Sequence, residues 1–243
     1  MVALGAVLVP SPALAYNLQP IVVQLSPAGS GSSQMLTLTN THEVPIAIEV
    51  KAFRREQQPD GADILVPEDE DLIIYPPQMV IPAQQSQTFK VQWVGKADPE
   101  KELAYRIVTE QLPIKFETQE VDGRKADVTM RYRYEAALYV MPPGATPIAE
   151  LISATAISAE DGTRQLGLRI ASRGTRRAIL DGPSLVLSPA SGSPITLSGD
   201  DLTPLTGLNI LPGVERVVRI PAPDGVGDGP VPAQLQTRYI ELQ

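Results

Sequence analysis

His42 is the only histidine in the 243-residue chain, and there is no cysteine. Nucleophilic catalysis through a His–Asp pair would have to run through that one imidazole. Its setting, Asn40-Thr41-His42-Glu43, has the composition of a turn, and no Gly-x-Ser-x-Gly elbow occurs anywhere. His42 therefore reads as a solvated turn residue. Without cysteine there are no disulfides, thiolate nucleophiles, iron–sulfur clusters or cysteine zinc sites. Glu68-Asp69-Glu70-Asp71, with Asp60 and Asp63 nearby, offers oxygen ligands to calcium but lacks the alternating spacing and central glycine of an EF-hand loop. Such an acidic run reads as a solvated loop. Carboxylate pairs for glycoside hydrolysis could be drawn from 28 acidic residues almost at will, so none is singled out. Gly225, Gly227 and Gly229, between Pro223 and Pro230, neither follow a clear strand nor open a helix; they read as a flexible loop, not a phosphate cradle. These residue types assign no catalytic, metal or cofactor site.

The formal charge of −8 disfavours nucleic acid and anionic membrane surfaces as partners, because both recruit cations. The length allows one large domain or two near 100 residues. Val2–Val9 is a short apolar run broken by Pro10, Ser11 and Pro12, and Ala13-Leu14-Ala15 has the small-x-small pattern of a signal-peptidase site. The expectation is a signal peptide over 1–15, cleavage before Tyr16 and a soluble exported protein. No basic residue precedes the apolar run, which places the true start upstream. No later segment is apolar for long enough to insert stably in a membrane.

The elements that must position any site are strands. Met35–Asn40 sets Leu36 and Leu38 against Thr37 and Thr39. Pro45–Phe53 sets Ile46, Ile48 and Val50 against Ala47, Glu49 and Lys51. Ser86–Val94 sets Phe89, Val91 and Trp93 against Lys90 and Gln92. Period-2 alternation of this kind marks half-buried antiparallel strands. Strands continue over Tyr105–Leu112 and Lys125–Met141, and then over Ile148–Ser158, Gln165–Ala171, Leu185–Leu187, Ile195–Leu197, Val214–Ile220 and Gln234–Leu242. A short polar connector, Asp98–Ala104, is the one helix candidate. Pro142-Pro143-Gly144 interrupts the pattern, since proline cannot donate to a ladder. The fold class is all-β: two β-sandwiches joined by a short Pro-rich bend, with domains over 16–143 and 144–243.

Lys125–Met141 is far longer than a usual strand of about five or six residues. Its first half alternates, with Val128, Met130, Tyr132 and Tyr134 on one face and Asp127, Thr129, Arg131 and Arg133 on the other. From Ala136 to Met141 both faces are mostly apolar, as for a strand buried between layers. The second half belongs inside a sandwich; the first projects as an edge carrying large apolar side chains, which natural proteins normally blunt. It is either covered by its own core, as in a long hairpin, or kept for a partner. The charged loop Pro113–Arg124 before it, turning at Asp122-Gly123, would keep such an edge soluble.

Several stretches, in this order, resemble the periplasmic chaperones of the chaperone–usher pilus pathway: LTLTNTHEVPIAIEVKAF (36–53), EDEDLIIYPPQMVIPAQQSQTFKVQWVG (68–95), AYRIVTEQLPIKF (104–116), ALYVMPPG (137–144) and NILPGVERVVRIP (209–221). The resemblance is to a divergent, non-classical branch. It implies two immunoglobulin-like domains set in an L, no enzymatic activity, no cofactor, and a periplasmic location. Its implied partners are pilus subunits and an outer-membrane usher. The implied activity is donor-strand complementation, in which the long strand completes a subunit that lacks its last strand. That puts the donor side chains at Val128, Met130 and Tyr132, flanked by Ala126 and Tyr134. The family's two basic residues that anchor a subunit's C-terminal carboxylate fall on Ala137 and on Val22 or Val23, none of them basic; Arg106, Arg131 and Arg133 are the candidate replacements. An arginine that orients the two domains falls on Met141, and its acidic partner on Glu102. An exposed donor strand also offers a route to self-association. The rival reading is a secreted structural or adhesive two-domain β-sandwich protein, itself a surface or pilus component.

Overall fold

The computed structural model describes residues 16–114, 131–158 and 162–241. The expected signal peptide over 1–15, together with Ala126, Val128 and Met130, lies outside the described residues.

Among the described residues, ten strands build the first half. They are β1 (Asn17–Gln19), β2 (Val22–Leu25), β3 (Ser33–Thr39), β4 (Ile46–Gln57), β5 (Asp63–Pro67), β6 (Leu72–Tyr75), β7 (Gln78–Ile81), β8 (Ser86–Trp93), β9 (Leu103–Gln111) and β10 (Arg133–Val140). One sheet runs β1-β3-β8-β6; the other runs β2-β10-β9-β4-β5, with β7 also on β4. The alternation read from the sequence is what closes them together. Leu36 and Leu38 of β3 and Phe89, Val91 and Trp93 of β8 face Ile46, Ile48 and Val50 of β4, Ile107 of β9 and Leu138 of β10 in one buried cluster. Each such side chain contributes roughly 1.5–3 kcal/mol of burial free energy.

The second half repeats the architecture. Its strands are β11 (Ala149–Ser158), β12 (Arg164–Ser172), β13 (Ala178–Leu187), β14 (Ile195–Ser198), β15 (Asn209–Ile210), β16 (Glu215–Pro221), β17 (Gly229–Pro230) and β18 (Ala233–Tyr239). The order β16-β12-β11-β17 packs on a sheet in which β13 pairs with β14, β15 and β18. Leu166, Leu168 and Ile170 meet Leu180, Leu185 and Leu187 in a separate core.

Three expectations need correcting. Asp98–Ala104 is not helical: the chain runs through bends into β9, and Glu102 turns inward, its N–H donating to Thr175 O at 2.8 Å. The acidic run is not wholly solvated. Glu68 is buried, and its Oε1 accepts the N–H groups of Glu70 and Asp71, both at 3.1 Å, so its carboxylate organises the turn. His42 is half-buried, its ring 5.5 Å from that of Tyr132.

The two sandwiches meet through a small apolar contact of Ala104, Tyr139 and Leu211. Beside it lies an ion pair closed to solvent, Arg177 Nη1 to Glu102 Oε2 at 2.6 Å with the side chains 1% and 0% exposed. The Arg177 guanidinium also stacks 3.7 Å from the Tyr139 ring centroid, a cation–π contact. Gln57 bridges the joint with both ends of its amide: Nε2 donates to Asn209 O and Oε1 accepts from Leu211 N, each at 3.0 Å. The β4–β5 turn lies against β16, where Val217 N donates to Pro59 O at 2.8 Å.

Candidate functional site

The site is built on β10. Its whole length pairs antiparallel with β9, from Arg133 opposite Glu110 to Val140 opposite Leu103. On its other side β2 runs parallel, but only along Ala137–Val140. Among the described residues no strand pairs with that side over Arg133–Ala136. The amides of Ala137 and Met141 point to the β2 side, donating to Ile21 O at 2.8 Å and Leu25 O at 2.9 Å. Strand geometry repeats every second residue, so the backbone groups of Arg133 and Glu135 face the same, open side. Ile21 and Val22, at the near end of β2, are exposed beside it.

The two faces of β10 differ as the alternation required. Ala136, Leu138 and Val140 are buried in the first core, and Tyr134 and Tyr132 pack half-buried against it. Tyr134 meets Tyr16 edge-on at 4.6 Å. The Tyr16 hydroxyl lies 2.7 Å from Thr109 O, 2.9 Å from Thr109 Oγ1 and 3.3 Å from Tyr132 O. Burial raises the Tyr16 phenol to about 12 and pushes the His42 imidazole down. Tyr132 and Tyr134 thus share the apolar phase of 126, 128 and 130, the three proposed donor positions beyond the described residues.

The opposite face is a lattice of ion pairs. Arg133 pairs with Glu110 and with Glu135, each at 3.0 Å. Arg106 reaches Asp63 at 3.2 Å and Glu135 at 3.9 Å. Arg55 meets the same Asp63 Oδ2 at 2.7 Å. Arg131 is exposed. The pairings put Val22 directly opposite Ala137, and Ala137 opposite Arg106. The three arginines considered from the sequence are therefore not equivalent. Arg106 sits in the same cross-strand row as Val22 and Ala137, whereas Arg133 lies four residues along β10. Arg55 was missed. Its side chain is 8% exposed although it carries a charge, and the one hint in the sequence was that the β4 alternation continues past Phe53.

A family model, described as the pili and flagellar-assembly chaperone PapD N-terminal domain, matches residues 18–146, more than half of the chain. The chain belongs to this family. Solved chaperone structures share its two-sandwich fold across nearly the whole length. The class 5 fimbriae chaperone CfaA is 15% identical, with 94% of this chain and 100% of that one covered and a TM-score of 0.57. The CsuC–CsuE chaperone–tip adhesion subunit pre-assembly complex from the archaic chaperone–usher Csu pili of Acinetobacter baumannii gives 14%, 92% and 97%, and 0.55. The Salmonella enterica SafA pilin–SafB chaperone complex gives 14%, 94% and 99%, and 0.53. The search of curated proteins found no match. Members of the family are chaperones of pilus assembly, not enzymes, and are periplasmic in general. In this chaperone Glu102 does form a cross-sandwich ion pair, but its partner is Arg177 of the second sandwich and not position 141, which is a methionine.

Proposed function

We propose that this chaperone binds pilus subunits by donor-strand complementation and delivers them to an outer-membrane usher. The apolar side chains offered to the subunit are Val128, Met130 and Tyr132, with Ala126 and Tyr134 flanking. The observation that carries this reading is the open side of β10 at Arg133–Ala136. There the sheet edge has an apolar inner face and, among the described residues, no strand paired with it. Pairing along such an edge supplies main-chain hydrogen bonds irrespective of sequence, while alternate side chains set the register. Three buried donor side chains contribute roughly 1.5–3 kcal/mol each, and ladder hydrogen bonds about 0.5–1.5 kcal/mol net apiece. Ordering and association entropy oppose both, which leaves a complex that a competing strand can displace.

Arg106 is the best placed of the three arginines to receive a subunit carboxylate, because its backbone position lies in the Val22–Ala137 row; Arg131 and Arg133 are the alternatives. The incoming carboxylate would compete with Asp63. We place the domain boundary between 143 and 144, which the separation of the two cores on either side of it supports. Residues 1–15 serve as the export signal.

The test is Met130→Asp with Val128→Asp. The reading expects a chaperone with wild-type circular dichroism and thermal midpoint that no longer protects pilus subunits of the same genome from proteolysis. Undiminished protection would refute the donor assignment.

A further inference from the structure

Tyr16 places its hydroxyl at the end of the β9–β10 ladder, beside Tyr132. It is 1% exposed and immediately precedes β1, the short edge strand of the first sheet. Its hydroxyl crosses to the second sheet. Its one proton is shared between Thr109 O at 2.7 Å and Tyr132 O at 3.3 Å, and its oxygen accepts from Thr109 Oγ1 at 2.9 Å. That same Tyr132 carbonyl accepts the Gln111 N–H at 3.0 Å. Gln111 is the last residue of β9 and Arg133 the first of β10, so among the described residues the contacts on Tyr132 O are the last backbone tie at this end of the β9–β10 ladder. We infer that Tyr16 is a positioning residue: its phenol adds a hold on the Tyr132 carbonyl and so reinforces the register in which the donor segment is presented.

The physical need is specific. A slip of one residue in a strand moves every side chain to the opposite face, which would turn Arg131 and Thr129 toward the subunit in place of Tyr132 and Met130. The β9–β10 ladder and the Gln111 N–H hold the register as far as Tyr132, and at this fraying end of the ladder the phenol adds a second hold on the same carbonyl. The ring of Tyr16, edge-on to Tyr134, supplies the packing; the hydroxyl reinforces the register. Its raised pKa, near 12, keeps it a donor at any pH the protein meets. The assignment rests on the donor-strand reading above.

Tyr16→Phe separates the two roles, since it keeps the ring and deletes the hydroxyl. In the free chaperone, amide exchange at Gln111 and Tyr134, the protected amides beside the tie, should accelerate about tenfold, the scale of one lost buried hydrogen bond. Amides of β12 and β16 should be unchanged. A complex with a pilus subunit of the same genome, chased with excess labelled wild-type chaperone, should release its subunit about tenfold faster. Thr109→Ser, which retains the hydroxyl partner, should behave as wild type in both assays. Unchanged exchange at Gln111 and Tyr134 overturns the assignment, as does a uniform rise across the first sandwich, which reports lost stability alone. Faster local exchange with unaltered subunit release overturns it too, by showing that the tie does not govern presentation. A wild-type chaperone that forms no subunit complex refutes the donor-strand reading and takes this assignment with it.

Discussion

Replacing Glu102 by alanine leaves the Arg177 guanidinium enclosed between the two sandwiches without its carboxylate. Nothing nearby compensates: Arg177 is 1% exposed in its side chain, and its Nε and Nη2 have no hydrogen-bond partner. The stacking on Tyr139 remains, but a ring face replaces only part of what a carboxylate at 2.6 Å gives. Removing one partner of a buried pair costs about 3–5 kcal/mol, so Glu102→Ala should lower stability on that scale. The double variant Glu102→Leu, Arg177→Met has no stranded charge and should recover most of the loss. Urea unfolding provides the assay. Trp93, the single tryptophan, sits 3% exposed in the first core and reports on that sandwich by fluorescence, while circular dichroism reports on both. With the joint weakened, the two midpoints should separate. A Glu102→Ala loss below about 1 kcal/mol, the value of an exposed pair, together with coincident midpoints, would refute the claim that this ion pair couples the sandwiches.

Further outcomes follow from single groups. Burial holds the Tyr16 phenol at about 12 in the folded chain, above the ordinary value of about 10. The folded state thus disfavours the phenolate, and the stability is complete below pH 10 and lost as pH rises to about 12. The loss should be on the order of 2–3 kcal/mol. Tyr16→Phe should flatten that alkaline slope in denaturant titrations; an unchanged slope would exclude Tyr16 as its source. Gly61 has φ +99°, and a Cβ there would run into the Arg216 guanidinium. Gly61→Val should cost about 1–3 kcal/mol from backbone strain alone, and should speed exchange of the Val217 amide that donates to Pro59 O; slow exchange at Val217 in the variant would show the turn does not depend on Gly61.

Much of this architecture was legible because burial imposes a period of two. The facing rows of β3, β4 and β8 were readable from Leu36, Ile48 and Phe89 and their polar neighbours. So was the change of character along β10 from alternation to a doubly apolar run. The short strands β1, β2, β6 and β7 were not, since three or four residues are too few to show alternation and their place is set by partners far away in sequence. The buried polar residues were illegible for a related reason. Glu68 looks like one of four acids, and only the fold shows that its carboxylate accepts two turn amides. Arg177 and Arg55 look like surface cations until Glu102 and Asp63 arrive from elsewhere in the chain. In the same way, the row Val22–Ala137–Arg106 depends on a parallel pairing between strands more than a hundred residues apart.

Amide exchange along β10, with and without a bound pilus subunit of the same genome, tests the central claim most directly. Arg133 and Glu135 should exchange quickly in the free chaperone, while Tyr134 and Ala136, turned toward β9, stay protected. Binding should slow Arg133 and Glu135 by at least about a hundredfold as a foreign strand takes up their backbone groups. Exchange at both that stays fast in the complex, with the subunit demonstrably bound, would mean the subunit is held elsewhere.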